Sequence, residues 1–471
     1  MKSKNTLTHI IEVALSNCSS IISGVLIGLL LPKIISVDDY GLYKTFTLYL
    51  TYVGFFSLGI IDGIVLDYGG YNLEELNKPL FRCFWRWYSL IHLFFCVAII
   101  GFSFCLSNSD YRFIFLMLAI NMMANNFTGY FQQLSQITQR FGEYSYRKVL
   151  QSVGNIIIVC LLYAVVKGGL SVNYRVYVIC IVGLNVLLTI WYFGTYKDLI
   201  VGEALRMADT RGQIFHLMKI GFPLLFANLC STLILTLDRQ FVNTLFDNTT
   251  YAIYAFAYNL LSLVTVATSA ISTVLYPILK RSNEDTLKRM YEKLVEVILV
   301  FVFAALLVYF PLSIFIDFYL PKYHDSLVIF RIIFPGLAIS TSITVIMHNY
   351  YKTMGKNIIY FRKSLVTLGF SALANYIAYL IFKTTIAISI ASIITMGLWY
   401  LFVEEYFVKI YAVKWKKNFL YMIFMMVSFY TITSIASFWL SMVAYFIAWL
   451  VITFVFFHGT KNDILELIKG R

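Results

Sequence analysis

The sequence predicts an all-α polytopic membrane protein with about fourteen transmembrane helices, built as two parallel-related six-helix bundles followed by two C-terminal helices. Of the 471 residues, 60% are hydrophobic and 13% are charged, whereas a soluble chain is about 25% charged. A transmembrane helix needs ~20 apolar residues, so the hydrophobic content supplies about fourteen spans. No polar stretch is long enough for a soluble domain. This composition excludes a soluble enzyme, a transcription factor and a secreted disulfide scaffold.

Fourteen apolar runs justify the helices in order. They lie near 10–32, 42–66, 82–106, 112–137, 148–166, 175–196, 219–243, 251–279, 292–317, 326–351, 361–383, 386–407, 418–438 and 439–458. The last two form one unbroken run that is too long for a single span, and we predict a tight turn near Ser437. The largest polar segments, 197–218 and 280–293, are predicted to be amphipathic interfacial helices.

The distribution of positive charge supports this topology. Of the 37 Lys and Arg residues, 28 fall on the loops of one side and six on the other, and three lie inside predicted spans. Cationic residues collect in cytoplasmic loops, so both termini are predicted to be cytoplasmic. The basic balance therefore indicates membrane orientation, and no nucleic acid partner is expected.

Other site chemistries are not predicted. The seven cysteines form no CxxC pair and have no histidine at ligand spacing, so neither disulfides nor a metal site is expected. No Walker motif is present, so ATP is not the expected energy source, and no cofactor is predicted. The predicted outer loops have about ten residues or fewer, which leaves no room for an external catalytic domain. The protein is not expected to be an enzyme.

The two halves of the chain resemble each other at a nearly constant offset. The segment 39–43, DYGLY, matches 250–254, TYAIY, and the Gly-and-Arg-Lys pattern of 142–150 matches that of 355–365. Paired bundles of this kind commonly enclose a substrate cavity that opens to alternate sides. The predicted organisation is an N-terminal bundle, an amphipathic linker, a C-terminal bundle, and two extra helices with a tail: 1–197, 198–218, 219–411 and 412–471.

Several motifs at span ends carry a family resemblance. They are VDDYGLYKTFTLYL and SLGIIDGIVLDYGG around span 2, TLDRQFVNTLFDNTTYAIYAFAYN at the span 7–8 junction, and YHDSLVIFRIIFPGLA ending in YYKTMGK in span 10. With them the chain resembles the Wzx-type flippases, the polysaccharide transporters of the multidrug/oligosaccharidyl-lipid/polysaccharide exporter superfamily. The resemblance implies flipping of an undecaprenyl-pyrophosphate-linked oligosaccharide to the outer leaflet of the bacterial inner membrane for O-antigen or capsule synthesis. It also suggests membrane lipids, a polysaccharide polymerase and a chain-length regulator as partners.

Cations inside spans are the first candidates for the substrate site, because ionisable residues are costly in the membrane. Lys44, Arg239 and Arg331, together with Lys33, are predicted to bind pyrophosphate or an anionic glycan as a basic ring at the outer mouth of the cavity. In the alternative, Lys44 snorkels to the interface, Asp238 and Arg239 form a structural ion pair, and Arg331 caps an interfacial contact.

Polar stripes are the second set of candidates, because a polar face turned to lipid is unfavourable. They are read either as glycan contacts along the translocation path or as hydrogen bonds between helices. The candidates for the path are Asn17, Asn121, Asn125, Gln132, Gln136, Asn228 and His348.

Three acidic residues, Asp62, Glu12 and Asp238, are candidates for binding a coupling ion. Structural pairing with a nearby cation is the alternative for each. Asp62 lies between Gly59 and Gly63, which are expected to allow close helix packing.

Two other functions compete with a flippase. A cation-coupled multidrug antiporter of the same superfamily would share the fold, but such antiporters typically have twelve spans and acidic cavities. A membrane glycan polymerase would need a large outer loop and paired carboxylates, which the sequence lacks.

Overall fold

The structure, a computed structural model, describes residues 2–435 and 438–457. The described chain is helical and contains no strand, so the predicted fold class is confirmed. Each of the fourteen predicted spans coincides with a helix or a broken helix, although Ser437, the predicted turn, lies outside the described residues. The helices are α1 (Lys2–Ile34), α2 (Val37–Leu50), α3 (Ile60–Tyr68), α4 (Lys78–Phe104), α5 (Ser109–Ile137), α6 (Phe141–Lys167), α7 (Tyr174–Thr195), α8 (Lys197–Ile200), α9 (Met207–Leu245), α10 (Asn248–Arg281), α11 (Glu284–Ala305), α12 (Tyr309–Tyr319), α13 (Ser326–Ile333), α14 (Gly336–Thr341), α15 (His348–Thr353), α16 (Asn357–Phe382), α17 (Thr385–Tyr411), α18 (Trp415–Ile435) and α19 (Phe438–Phe457).

Nine helices in the described chain are long and apolar enough to cross a membrane, or eleven spans if each of two bent pairs counts as one. The predicted spans outside this set are α5, α10 and α18. They contain 29, 34 and 21 residues and are long enough to span. In α5 the amides of the stripe identified in the sequence lower the mean hydropathy.

Within the described residues two spans are broken, each for a different reason. Between α2 and α3 the backbone turns through 55° where Leu58 and Gly59 adopt positive φ angles of 50° and 78°. Between α13 and α14 the chain bends by 46° at Pro335, which has no N–H for the helical ladder. Pro223, in contrast, lies inside the continuous helix α9.

The chain forms two compact units, Met1–Leu229 and Cys230–Arg471, and the division falls inside α9. In the first unit α1 packs along α6, and aromatic side chains of α4, α5 and α7 form the core. In the second unit α16 packs along α17, and α18 pairs with α19. Because α9 begins at Met207, part of the segment predicted as a linker is continuous with a span.

The helix caps repeat between the two units. Ser36 caps α2 and Asp247 caps α10, and each side chain accepts an N–H three residues later. Asn173 and Thr384 cap α7 and α17 in the same way. Both pairs are separated by 211 residues, which is the offset of the sequence match.

Polarity is arranged as lipid requires. Large apolar side chains face outward, including Phe318, Val455 and Phe94 with exposed fractions of 88%, 69% and 68%. Polar side chains such as Asn121 and Asn375 are fully buried and bonded to neighbouring helices, since hydrocarbon offers them no partner.

Candidate functional site

The second unit holds a buried carboxylate surrounded by donors. Asp238, near the end of α9, is 1% exposed and accepts hydrogen bonds from the hydroxyls of Tyr254, at 2.7 Å, and Tyr258. The backbone N–H of Arg239 donates to its other oxygen at 2.7 Å. Ser389 of α17 donates to the Tyr254 hydroxyl at 3.2 Å. Three donors satisfy both oxygens of this buried carboxyl group, and the network joins α9, α10 and α17.

Arg239 extends from this cluster into a cavity of about 190 Å³. Its guanidinium lies 4.5 Å from the centre of the Tyr258 ring and donates to the Leu235 carbonyl at 3.0 Å. Its Nε is buried and has no hydrogen-bond partner in the described part of the chain. The cavity is lined by Leu235, Arg239, Tyr258, Leu261, Ser262, Ile333, Gly336, Leu337, Ser340, Ser392, Ile393 and Met396.

This lining combines one cation, one aromatic ring and three serine hydroxyls with an apolar wall. The break at Pro335 places Gly336 on the wall, so the bent span α13–α14 contributes backbone to the cavity. A cation over an aromatic ring suits an anionic group, and hydroxyls with aromatic faces suit a sugar. The cavity therefore offers one cation, an aromatic face and hydroxyl groups within a mostly apolar wall.

The other predicted cations lie elsewhere. In the first unit, Lys33 is exposed in the last turn of α1. Lys44 is half-buried, with Nζ 5.1 Å and 5.6 Å from the rings of Tyr40 and Tyr43. In the second unit, Arg331 donates to the carbonyl of Thr433 on α18 at 3.4 Å and does not line the Arg239 cavity. The two arginines thus face different helices, and the ring of four stays a prediction.

The amide stripe of α5 divides in two. Asn121 is fully buried and accepts a hydrogen bond from Asn185 of α7 at 2.9 Å. This contact fits the alternative in which the stripe forms hydrogen bonds between helices. Asn125, Gln132 and Gln136 are half-buried. These three are the members of the stripe with solvent-accessible surface for a substrate.

The remaining polar candidates of α1, α9 and the broken span occupy separate places. Asn17 accepts from Lys148 of α6 at 2.7 Å, and Asn228 is exposed on α9. His348 is buried and stacks on the ring of Tyr360, with centroids 4.4 Å apart. Its Nε2 has no hydrogen-bond partner among the described residues.

The two acidic candidates of the first unit are both half-buried. Asp62 lies in the first turn of α3, and the Glu12 carboxylate lies beside Gly142 at the start of α6. Gly63 approaches the backbone of Leu217 so closely that a Cβ there would lie 2.2 Å from its carbonyl oxygen. The expected close packing at this glycine is confirmed.

Two polar residues were missed from the sequence. Arg147, placed among the cytoplasmic loop cations, is 5% exposed, with its guanidinium 3.8 Å from the Tyr192 ring. Asn126, adjacent to the predicted stripe, donates to His92 and to the Val53 carbonyl, each at 2.9 Å. A stripe assigned from spacing alone could not include a residue one position away from its face.

The comparisons with known proteins agree on family and fold. The sequence profile described as "Polysaccharide biosynthesis protein" matches residues 7–283, more than half of the chain. No curated protein sequence matches the chain.

Solved structures share the fold. The lipid II flippase MurJ in an inward closed conformation is 15% identical, with a TM-score of 0.71 over 98% of this chain and 100% of that chain. An inward-facing multidrug resistance MATE family transporter of the MOP superfamily is 12% identical, with a TM-score of 0.59 over 85% and 96%. An outward-facing MATE transporter is 11% identical, with a TM-score of 0.52 over 86% and 96%. The TM-scores show a common fold, and at identities this low the similarity shows the fold alone.

Proposed function

Because the chain belongs to the polysaccharide biosynthesis protein family, we propose that it is a flippase for an undecaprenyl-pyrophosphate-linked oligosaccharide repeat unit. It moves this unit from the cytoplasmic to the outer leaflet of the bacterial inner membrane by alternating access, for synthesis of O-antigen or capsule. Both termini face the cytoplasm in this proposal, and a polymerase and a chain-length regulator act on the product.

The Arg239 cavity is the observation that carries this proposal. A pyrophosphate-linked glycan is anionic at one end and rich in hydroxyls along its length. The Arg239 guanidinium has a buried Nε with no partner in the described chain, so it offers a donor to a phosphate or sugar-acid oxygen. The Tyr258 ring and the three serine hydroxyls of the lining supply surfaces for a sugar.

Asp238 has a positioning role in this proposal. Its bond to the backbone N–H of Arg239 and its two tyrosine donors hold this end of α9 against α10. The side chain of Arg239 is thereby presented to the cavity, instead of closing an ion pair with its neighbour. Lys33, Lys44 and Arg331 are proposed as further phosphate contacts, and Asp62 and Glu12 as ion-coupling candidates in the first unit.

A multidrug antiporter is the second candidate, because MATE transporters share the fold. The two functions differ in what accumulates when the protein is removed. Deletion of the gene in its host, followed by extraction of lipid-linked oligosaccharides and staining of surface polysaccharide, separates them.

Complete repeat units accumulating on lipid while surface polymer disappears are the expected result. Unchanged glycan with altered drug sensitivity would identify an antiporter. Single repeat units that still reach the surface would identify a polymerase. Complementation with the wild-type gene and with Arg239→Ala then connects the result to the cavity.

A further inference from the structure

A second buried carboxyl group lies in the second unit, away from the Arg239 cavity. Glu404 of α17 is 1% exposed, and one of its oxygens accepts a hydrogen bond from the hydroxyl of Tyr291 on α11. Its other oxygen, Oε1, is buried and has no hydrogen-bond partner among the described residues. An ionised carboxylate in this position would be satisfied at one oxygen only, which is unfavourable in a buried site.

Three cations of α16, α17 and α18 are bonded to carboxylates other than Glu404. Lys363 and Lys409 both bind Glu405, at 2.9 Å and 2.6 Å. Lys417 of α18 binds Glu296 of α11 at 2.6 Å. No ion pair to Glu404 occurs in the described chain. Among the described residues Glu404 thus has no ion-pair partner, although its sequence neighbour Glu405 has two.

The remaining groups around Glu404 do not supply a positive charge either. Glu292 of α11 adds negative charge. The hydroxyl of Tyr351 on α15 donates to the Val403 carbonyl at 2.9 Å, so its proton is already engaged in a hydrogen bond. Glu292 therefore disfavours a negative charge on Glu404, and Tyr351 does not balance one.

Unpartnered polar atoms cluster at the same junction. The hydroxyl of Tyr400, one turn before Glu404, is buried without a partner in the described chain, and so are both amide atoms of Asn418 on α18. Tyr400 and Asn418 are both fully buried. The Tyr400 ring stacks on Phe419, the residue after Asn418, with centroids 6.4 Å apart. None of these atoms carries a positive charge, so the buried junction suits a neutral carboxyl group better than a carboxylate.

We propose that Glu404 is a proton-binding site of the second unit, neutral in this conformation and ionised when the α11–α17–α18 junction admits water. Binding transfers one proton from water to Oε1, and ionisation returns it to water. No other co-reactant is needed. The proton-binding site lies where the two additional helices meet the six-helix bundle. The proposal assumes neither a particular substrate nor a direction of transport.

Infrared difference spectroscopy on the purified full-length protein in nanodiscs tests this proposal. The C=O stretch of a protonated carboxyl is followed in a pH titration of wild type, Glu404→Gln and Glu405→Gln. The expected result is one carboxyl band at neutral pH that disappears in Glu404→Gln and persists in Glu405→Gln, the matched control whose carboxylate is paired. Identical bands in wild type and Glu404→Gln would overturn the proposal.

Two further arms keep the result interpretable. Sodium chloride added at constant pH is expected to leave the band unchanged, and its loss on sodium addition would identify a metal-cation site and overturn the proposal. If Glu404→Gln does not yield folded protein, Tyr291→Phe is used. Removal of the hydroxyl that donates to Glu404 is expected to shift the band, and an unshifted band would overturn the proposal. Because no substrate is present, failure here is distinct from failure of the flippase proposal.

Discussion

The closest backbone approach in the first unit provides a sharp test of the packing. A Cβ added to Gly221 of α9 would lie 2.0 Å from the carbonyl oxygen of Gly59 and 2.6 Å from the nitrogen of Gly63. Ordinary contacts of a Cβ begin near 3.4 Å, so α3 and α9 would have to separate by more than 1 Å. Overpacking of this kind costs ~1–3 kcal/mol, and the contact here is with rigid backbone, so we expect the upper part of that range for Gly221→Ala.

Gly212→Ala is the matched control, because it lies on the same helix and a Cβ there meets nothing within 4 Å. Ala is the better helix former by about 1 kcal/mol, so this change is expected to be neutral or mildly stabilising. At about 2–4 °C per kcal/mol for a unit of this size, Gly221→Ala lowers the apparent melting temperature by roughly 5–10 °C. The assay is thermal unfolding of the detergent-purified protein. Equal melting temperatures for the two variants would refute the close-approach reasoning.

Two other predictions concern single hydrogen bonds. Tyr258→Phe keeps the ring beneath Arg239 but removes a donor to the buried Asp238, so it is expected to cost ~1.5–3 kcal/mol; a melting temperature equal to that of wild type would contradict this. His324 lies outside the spans, where its hydrogen bond and charge interaction with Asp317 raise its pKa above the ordinary 6.5. The stabilisation of the fold by protonated His324 and Asp317 is present below pH 6.5 and is lost as the pH rises through the raised pKa of His324. The gap in melting temperature between wild type and His324→Ala should therefore narrow with rising pH. A gap independent of pH would contradict it.

Much of the fold follows from the sequence because the membrane requires apolar helices of about one length. Apolar runs of about span length define the helices, and the duplicated motif at an offset of 211 reappears as duplicated N-caps at Ser36 and Asp247. Breaks are less accessible. Pro335 signals one by its missing N–H, whereas the 55° break at Leu58 depends on left-handed backbone that tertiary contacts stabilise.

The candidate site was predictable in its residue types and less so in its grouping. Arg239 was found because an in-span cation is conspicuous, but its tyrosine neighbours come from α10, and periodicity within one helix cannot reveal a partner on another. Arg331 shows the same limit, since its distance in sequence gave no indication that it bonds to α18. Glu404 was overlooked because it adjoins Glu405, and two acidic residues near a helix end suggest a solvated surface.

The central claim is tested most directly by reconstitution. Purified wild type, Arg239→Ala and Arg112→Ala are placed in proteoliposomes with an undecaprenyl-pyrophosphate-linked oligosaccharide, and its appearance in the opposite leaflet is measured with a glycan-modifying enzyme. Arg112 is exposed and donates to the Leu106 carbonyl near the start of α5, so its removal controls for loss of charge.

The account predicts translocation by wild type and by Arg112→Ala. For Arg239→Ala it predicts at least a tenfold lower rate, since a lost charge-assisted hydrogen bond is worth ~1.5–3 kcal/mol. Full activity of Arg239→Ala, or no translocation by folded wild type, would contradict it.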